Sequence, residues 1–192
     1  MIILLKSNYW TNNINYNKED CCNLRMPHKH IIRDGKFKSI GNIQLMQQKE
    51  TAFLCSSSIS DRTEEISLPW ALQQVNKEHC IISGFQSPVE KKVLDVILEN
   101  NGYAIMVLPR GIFERCPSKL KEHVDNGRLL IVSYFDDEQK IVTRVSAELR
   151  NQKVIELSDN IVVGCMKRSG MTERLVTQTK KPCFVLNPIK AE

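Results

Sequence analysis

From Thr51 onward, apolar and polar positions fall into two kinds of block. Short, nearly continuous apolar runs occur at Thr51–Cys55, Cys80–Ile82, Tyr103–Leu108, Leu129–Ser133, Asn160–Val163 and Cys183–Leu186. Runs of this length without polar alternation are expected of strands buried on both faces. Longer segments with apolar residues at helical spacing lie between them. Asp61–Glu78 carries Ile66, Leu68, Trp70, Leu72 and Val75 and predicts a helix, with an alternative start at Leu68-Pro69 because proline is tolerated in a first turn. Ser87-Pro88-Val89-Glu90 is a helix start: serine as N-cap, proline at the first position and glutamate closing a capping box. Val93, Leu94, Val96, Ile97 and Leu98 give that helix its buried face, and Asn100-Asn101-Gly102 stops it. Pro117–Asn126 predicts a short polar helix. Ser146–Leu157 and Met171–Thr179 predict two more, the last followed by Lys180-Lys181. Strands alternating with helices predict an α/β fold with a mainly parallel sheet of about six strands and right-handed crossovers.

Residues 1–40 break this rhythm. They are rich in Asn, Lys and His and show no clean period, and Asn12, Asn13, Asn15 and Asn17 favour turns. The expected division is an irregular leader over 1–40 and one domain over 41–192. A length of 192 residues and 42% hydrophobic content suit one domain with a small appendage and exclude a disordered chain. The net charge of +5 permits phosphate or nucleic-acid partners without demanding them. The seven cysteines, Cys21, Cys22, Cys55, Cys80, Cys116, Cys165 and Cys183, form no C-x-x-C, and four of them sit in or beside apolar runs. That pattern suits a reducing cytosol, with thiols that mostly fill core space. No apolar run approaches the roughly 20 residues of a membrane span. The apolar start Met1–Leu5 lacks a preceding basic residue and is too short for a signal peptide. A cytoplasmic protein with no membrane partner is the expectation.

In an open parallel sheet, ligands bind beyond the carboxyl ends of the strands, where the strand order reverses. The loops at those ends read Cys55-Ser56-Ser57-Ser58, Ser83-Gly84-Phe85-Gln86-Ser87, Pro109-Arg110-Gly111, Ser133-Tyr134-Phe135-Asp136 and Lys167-Arg168-Ser169-Gly170. Hydroxyls and small residues recur there, which suits phosphate, and Arg110 and Arg168 supply charge. Candidate ligand residues are therefore Ser56, Ser57, Ser83, Gly84, Arg110, Gly111, Arg168, Ser169 and Gly170. The principal anion site is expected at Arg168, Ser169 and Gly170. There Ser169 caps the helix that begins near Met171 and leaves backbone amides aimed at a bound oxygen, with Arg110 as a second clamp. A plain capped helix with an exposed arginine is the competing reading.

Other chemistry finds less support. There is neither a G-x-G-x-x-G nor a G-x-x-x-x-G-K-[ST] motif, which argues against dinucleotide and Walker-type nucleotide binding, and no cofactor is expected. Cys21, Cys22, His28 and His30 are metal-ligand types at a spacing that fits no common zinc pattern, so no metal is expected. Cys55 is read as a buried inert thiol rather than a nucleophile. Glu173 is read as a first-turn carboxylate complementing the helix dipole rather than a general acid/base, and no catalytic residue is assigned.

These loops resemble those of the DNA-processing protein A family (DprA, also called Smf), over roughly Gly41 to Pro188. Ala52–Ser57 resembles the family's Val-Gly-Ser-Arg turn, and Ile81–Phe85 followed by Glu90 its Val-Ser-Gly-Leu segment with a downstream acidic residue. Val107–Gly111 falls where the family has Leu-Gly-x-Gly, and Leu130–Tyr134 resembles its Leu-Ile-Ser-Glu strand. Arg150-Asn151-Gln152-Lys153-Val154-Ile155 resembles Arg-Asn-Arg-Ile-Ile, and Ser169-Gly170-Met171-Thr172 the Ser-Gly-Ser-Leu-Ile-Thr turn. The order of Arg-Asn segment, strand and Ser-Gly turn is the most specific part, and it adds Arg150, Asn151 and Thr172 to the candidate ligand residues. The resemblance implies an extended Rossmann-like domain with a mainly parallel sheet and helices on both faces. It also implies binding of single-stranded DNA or nucleotide phosphates without catalysis, a role in DNA uptake or recombination, and a homodimer. The family's loop arginine is Ser57 here, and the basic residue and glycine of its second loop are Ser87 and Pro88. Single-stranded DNA binding is accordingly expected to be weak and strongly salt-dependent. Two alternatives stay open. One is a nucleotide phosphoribohydrolase of the lysine-decarboxylase-like type, whose Gly-Gly-x-Gly-Thr-x-x-Glu signature is partly echoed by Gly170-Met171-Thr172-Glu173. The other is a small-molecule nucleotide sensor.

Overall fold

A computed structural model describes residues 37–57 and 61–187 of the chain. The elements run β1 (Lys38–Gly41), a 3-10 turn (Ile43–Gln47), β2 (Glu50–Leu54), α1 (Asp61–Asn76), β3 (Cys80–Ser83), α2 (Pro88–Glu99), β4 (Tyr103–Leu108), α3 (Ser118–Asp125), β5 (Leu129–Ser133), α4 (Arg144–Leu157), β6 (Asn160–Val163), α5 (Met171–Thr177) and β7 (Cys183–Val185). All six predicted strands form. The sheet has seven, ordered β1-β5-β4-β3-β2-β6-β7.

The seventh strand corrects the expectation that residues 1–40 lie outside the sheet. Lys38–Gly41 pairs antiparallel with β5, Lys38 opposite Ser133 and Gly41 opposite Leu130. Four residues reading Lys-Ser-Ile-Gly carry too little period to announce a strand. Gly41 ends it at φ +111°, where an added Cβ would lie 2.2 Å from the Leu129 carbonyl oxygen. The other pairings are parallel. The asparagine-rich stretch 12–17 and the metal-type residues Cys21, Cys22, His28 and His30 lie outside the described residues, as does Ser58.

Strand alternation sends successive side chains to opposite faces and splits the core in two. Phe53, Ile81, Met106 and Ile131 pack with Ala71 of α1 and Val89, Val93 and Ile97 of α2. Ala52, Leu54, Ile82, Ile105 and Val132 pack on the other side with Val154 and Ile155 of α4 and Leu175 and Val176 of α5. Helices therefore cover both faces, the doubly wound arrangement that parallel strands require. α1 runs unbroken from Asp61 with Pro69 inside it, not from the alternative start at Leu68. Among the described residues, no helix is long and apolar enough to cross a membrane.

The chain passes from β2 outward through β3, β4 and β5, then returns to place β6 on the other side of β2. The strand order thus reverses between β2 and β6, and the crevice beyond their carboxyl ends is where ligands bind in such sheets.

Phe53 tests the core beneath that crevice. It is 0% exposed and stacks on Trp70 with ring centroids 5.0 Å apart. Phe53→Ala should lower the unfolding free energy by about 3–5 kcal/mol, read from urea denaturation followed by tryptophan fluorescence.

Candidate functional site

Glu90 organises the crevice. It closes the predicted capping box of α2: Ser87 Oγ accepts from Glu90 N at 3.2 Å, and Glu90 Oε2 accepts from Ser87 N at 3.1 Å. The same carboxylate also accepts from Gln86 N at 2.8 Å and, through Oε1, from Cys55 N at 2.9 Å. One buried side chain thereby joins the end of β2 to the β3–α2 loop. Its oxygens are engaged with backbone amides rather than with a cation.

The cation nearby is Arg150. α4 starts at a Thr143–Ser146 capping box, two residues earlier than its sequence suggests. Ser146, Arg150 and Val154 then follow at a spacing of four on the helix face turned to the sheet. Arg150 is only 5% exposed. Its Nε and Nη1 are buried without a hydrogen-bond partner. A Cβ on Gly84 would stand 1.3 Å from Nη1, so the guanidinium occupies the space that glycine leaves open. Burial pushes the Arg150 guanidinium below its ordinary range, and the Glu90 charge opposes that shift. Buried polar groups in folded proteins are nearly always paired, and a guanidinium offers five donors in a planar fork matched to phosphate. A guanidinium with two unpartnered nitrogens has donors free to meet an anionic oxygen.

Arg150 lines a cavity of about 510 Å³ together with Cys55, Ser56, Ser57, Gln86, Ser87, Glu90, Pro109, Val142, Ala147, Asn151, Lys167, Gly170, Met171 and Thr172. Its two walls, the loops after β2 and β6, are stitched together: Ser56 N donates to Cys165 O at 3.0 Å, and Lys167 N to Ser56 Oγ at 3.2 Å. Lys167 adds an exposed cation to the rim.

Of the sequence-derived candidates, the cavity gathers Ser56, Ser57, Arg150, Asn151, Gly170 and Thr172, with Gly84 pressed against Arg150. Arg168 is exposed and is not among the lining residues. Ser169 does not cap α5. Gly170 holds the N-cap position without a side-chain bond, while Ser169 takes φ +57° and its N–H donates to Glu173 Oε2 at 2.6 Å. The helix start is thus answered by its own carboxylate, in line with the first-turn reading of Glu173. Ser83 is buried, and its Oγ accepts from Phe85 N at 3.3 Å. Arg110 lies over the Phe113 ring at 4.9 Å and lies outside the cavity lining, as does Gly111, where a Cβ would meet Asp136 O at 2.5 Å.

Sequence reading missed Gln86, Ser87, Glu90 and Lys167 as site residues. Glu90 was visible as a cap; only the fold reveals that its second oxygen reaches β2. Lys167 lies in a loop that the sequence singles out, yet Arg168 beside it is the charge-bearing residue expected there. Among the described residues, no cluster of three or more metal-ligating side chains occurs.

Residues 37–190 match the family described as DNA recombination-mediator protein A. DNA processing protein A from Streptococcus pneumoniae superposes with a TM-score of 0.65 at 19% identity, over 81% of this chain and 56% of that one. The protein of that name from Helicobacter pylori, whose structure addresses its mode of single-stranded DNA binding, gives 0.65 at 21% identity over 88% and 81%. The molybdenum cofactor binding protein of Rippkaea orientalis shares the fold at 0.55 and 13% identity over 74% and 78%. The chain thus spans little more than half the length of the pneumococcal protein. No curated protein matches it.

Gly84→Ala places a methyl group where the Arg150 guanidinium lies. It should cost about 1–3 kcal/mol of stability and drive Arg150 from its place, with loss of phosphate-dependent thermal stabilisation as the measurement.

Proposed function

Because the chain belongs to the DNA recombination-mediator protein A family, we propose that the β2–β6 crevice binds phosphates of single-stranded DNA or of a nucleotide, without catalysis, in a role in DNA uptake or recombination. The observation that carries this reading is Arg150: a guanidinium 5% exposed, with two nitrogens lacking partners, on the wall of a cavity of about 510 Å³. That volume has room for a nucleotide-sized group. Ser56, Ser57, Asn151 and Thr172 offer hydroxyl and amide donors around the same space. Lys167 extends the positive lining outward. The Helicobacter pylori relative's single-stranded DNA binding supports the polymer over a free mononucleotide. The homodimer and cytoplasmic location implied by the family are part of the same proposal.

Backbone binding of this kind is electrostatic. Each phosphate neutralised releases counterions, and log K falls with log salt with a slope of about −0.7 per contact on single strands. With Ser57 and Ser87 in place of the family's basic loop residues, few contacts remain and affinity is weak.

The test is fluorescence anisotropy with labelled single-stranded DNA beside a mononucleotide panel at two salt concentrations. Binding that weakens as salt rises supports the proposal. Tight, salt-insensitive binding counts against it, and release of free base from a mononucleotide would replace it with the phosphoribohydrolase.

The same residue yields a mutational prediction with opposite signs. Replacing a buried charge that lacks hydrogen-bond partners by a hydrophobic side chain of similar volume removes its desolvation cost. Arg150→Met should therefore leave the urea midpoint unchanged or raised while abolishing DNA or nucleotide binding. Arg168→Ala, outside the cavity, should weaken binding less. A variant Arg150→Met that binds like the parent would remove the basis of the assignment.

A further inference from the structure

At the base of the crevice two thiols meet. Cys55 follows β2 directly and Cys165 follows β6 after Gly164. Their sulfurs lie 3.6 Å apart although the residues are 110 positions apart in sequence. The parallel pairing of β2 with β6, with Leu54 opposite Val163, brings them together. Ser56 N–H to Cys165 O at 3.0 Å holds the two loops in that relation. Gly164 permits the approach, because a Cβ there would already stand 3.2 Å from Cys55 Sγ and 3.0 Å from Phe53 Cζ. Cys55 is buried and lines the cavity, whereas Cys165 is half-buried.

We propose that Cys55 and Cys165 are a modification site, a dithiol that a hydroperoxide converts reversibly into an intramolecular disulfide joining the loops after β2 and β6. A disulfide needs a sulfur–sulfur distance of about 2.05 Å, so the two sulfurs have to close from their present 3.6 Å contact.

The two sulfurs are not equivalent. Hydrogen bonds from Cys55 and Thr63 and from the Ser56 backbone outweigh burial and hold the Cys165 thiol down to about 6, while its bond to Cys165 and burial push the Cys55 thiol up. Cys165, the less buried of the two, is the thiol that meets the hydroperoxide, and it attacks as the thiolate. Its sulfur takes the terminal oxygen of the hydroperoxide, and the O–O bond breaks. The departing alkoxide picks up a proton as the alcohol, and Cys165 becomes a sulfenic acid. Cys55 then attacks the Cys165 sulfur. The S–O bond breaks, and hydroxide leaves with the Cys55 proton as water. Two thiols and one hydroperoxide give one disulfide, one alcohol and one water, with two electrons passing from sulfur to oxygen. A dithiol reductant reverses the change.

The experiment treats the full chain with tert-butyl hydroperoxide and maps its peptides by mass spectrometry without reduction. The expected result is a cross-linked peptide pair containing Cys55 and Cys165 that dithiothreitol separates. Oxidised protein should also unfold at higher urea than reduced protein, because the cross-link restricts the unfolded chain. Cys55→Ser should lose both effects and leave a sulfenic acid on Cys165 that dimedone traps. No Cys55–Cys165 cross-link at peroxide levels that oxidise dithiothreitol overturns the proposal, as does cross-linking only through other cysteines. If Cys55→Ser does not fold, the wild-type peptide map decides alone. The readouts involve no nucleotide, so this inference and the reading of the cavity stand or fall separately.

Discussion

The Glu90 carboxylate is the tie on which the crevice depends. A carboxylate in a largely apolar interior is costly unless its lone pairs are met, and here three backbone N–H groups meet them, from Cys55, Gln86 and Ser87. Those donors belong to the end of one strand, the loop after its neighbour and the first turn of a helix. Satisfying one charge therefore fixes three segments at once. The same three bonds that let the carboxylate tolerate burial also tie the floor of the cavity together.

That arrangement has a second consequence. Because Glu90 is engaged with amides, it stays near Arg150 as a charge but not as a hydrogen-bond partner, and the guanidinium keeps Nε and Nη1 unmatched. Folding accepts this cost against a large apolar core on both sheet faces. Sites that hold an uncompensated group in place trade stability for a ready partner, a pattern common to binding pockets. Under the proposed phosphate binding, positive potential and donor geometry are set before the anion arrives, which spares the ordering cost of binding.

The surface beside the crevice is also unusual. Ile141, at 76% exposure, Val142, Val145 and Leu149 are all exposed at the start of α4 and in the loop before it. Val145 and Leu149 lie on the solvent face because Ser146, Arg150 and Val154 take the face turned to the sheet. At its first turns α4 thus turns the polar Ser146 and Arg150 inward and the apolar Val145 and Leu149 outward. This inversion is why the helix shows no clear amphipathic pattern in sequence, and why its start read as Ser146 rather than Arg144.

The sequence by itself determined the strand–helix alternation, the six parallel strands, the α2 capping box and the loops that carry the ligand-type residues. These are local properties: continuous apolar runs mark strands buried on both faces, and a serine followed three residues later by glutamate marks a helix start. Family-like Arg150-Asn151 was also legible, as a short order of residues. Only the tertiary structure decided which of those residues meet. β6 lands beside β2 because the connection after β5 returns across the sheet, and that placement, invisible in any window of sequence, sets Ser56 against Lys167 and Cys55 against Cys165. It left Arg168 and Arg110 outside the cavity and put on its wall Arg150, whose burial follows from helix phase rather than residue type. The first strand, four residues long and without period, had to borrow its identity from pairing with β5.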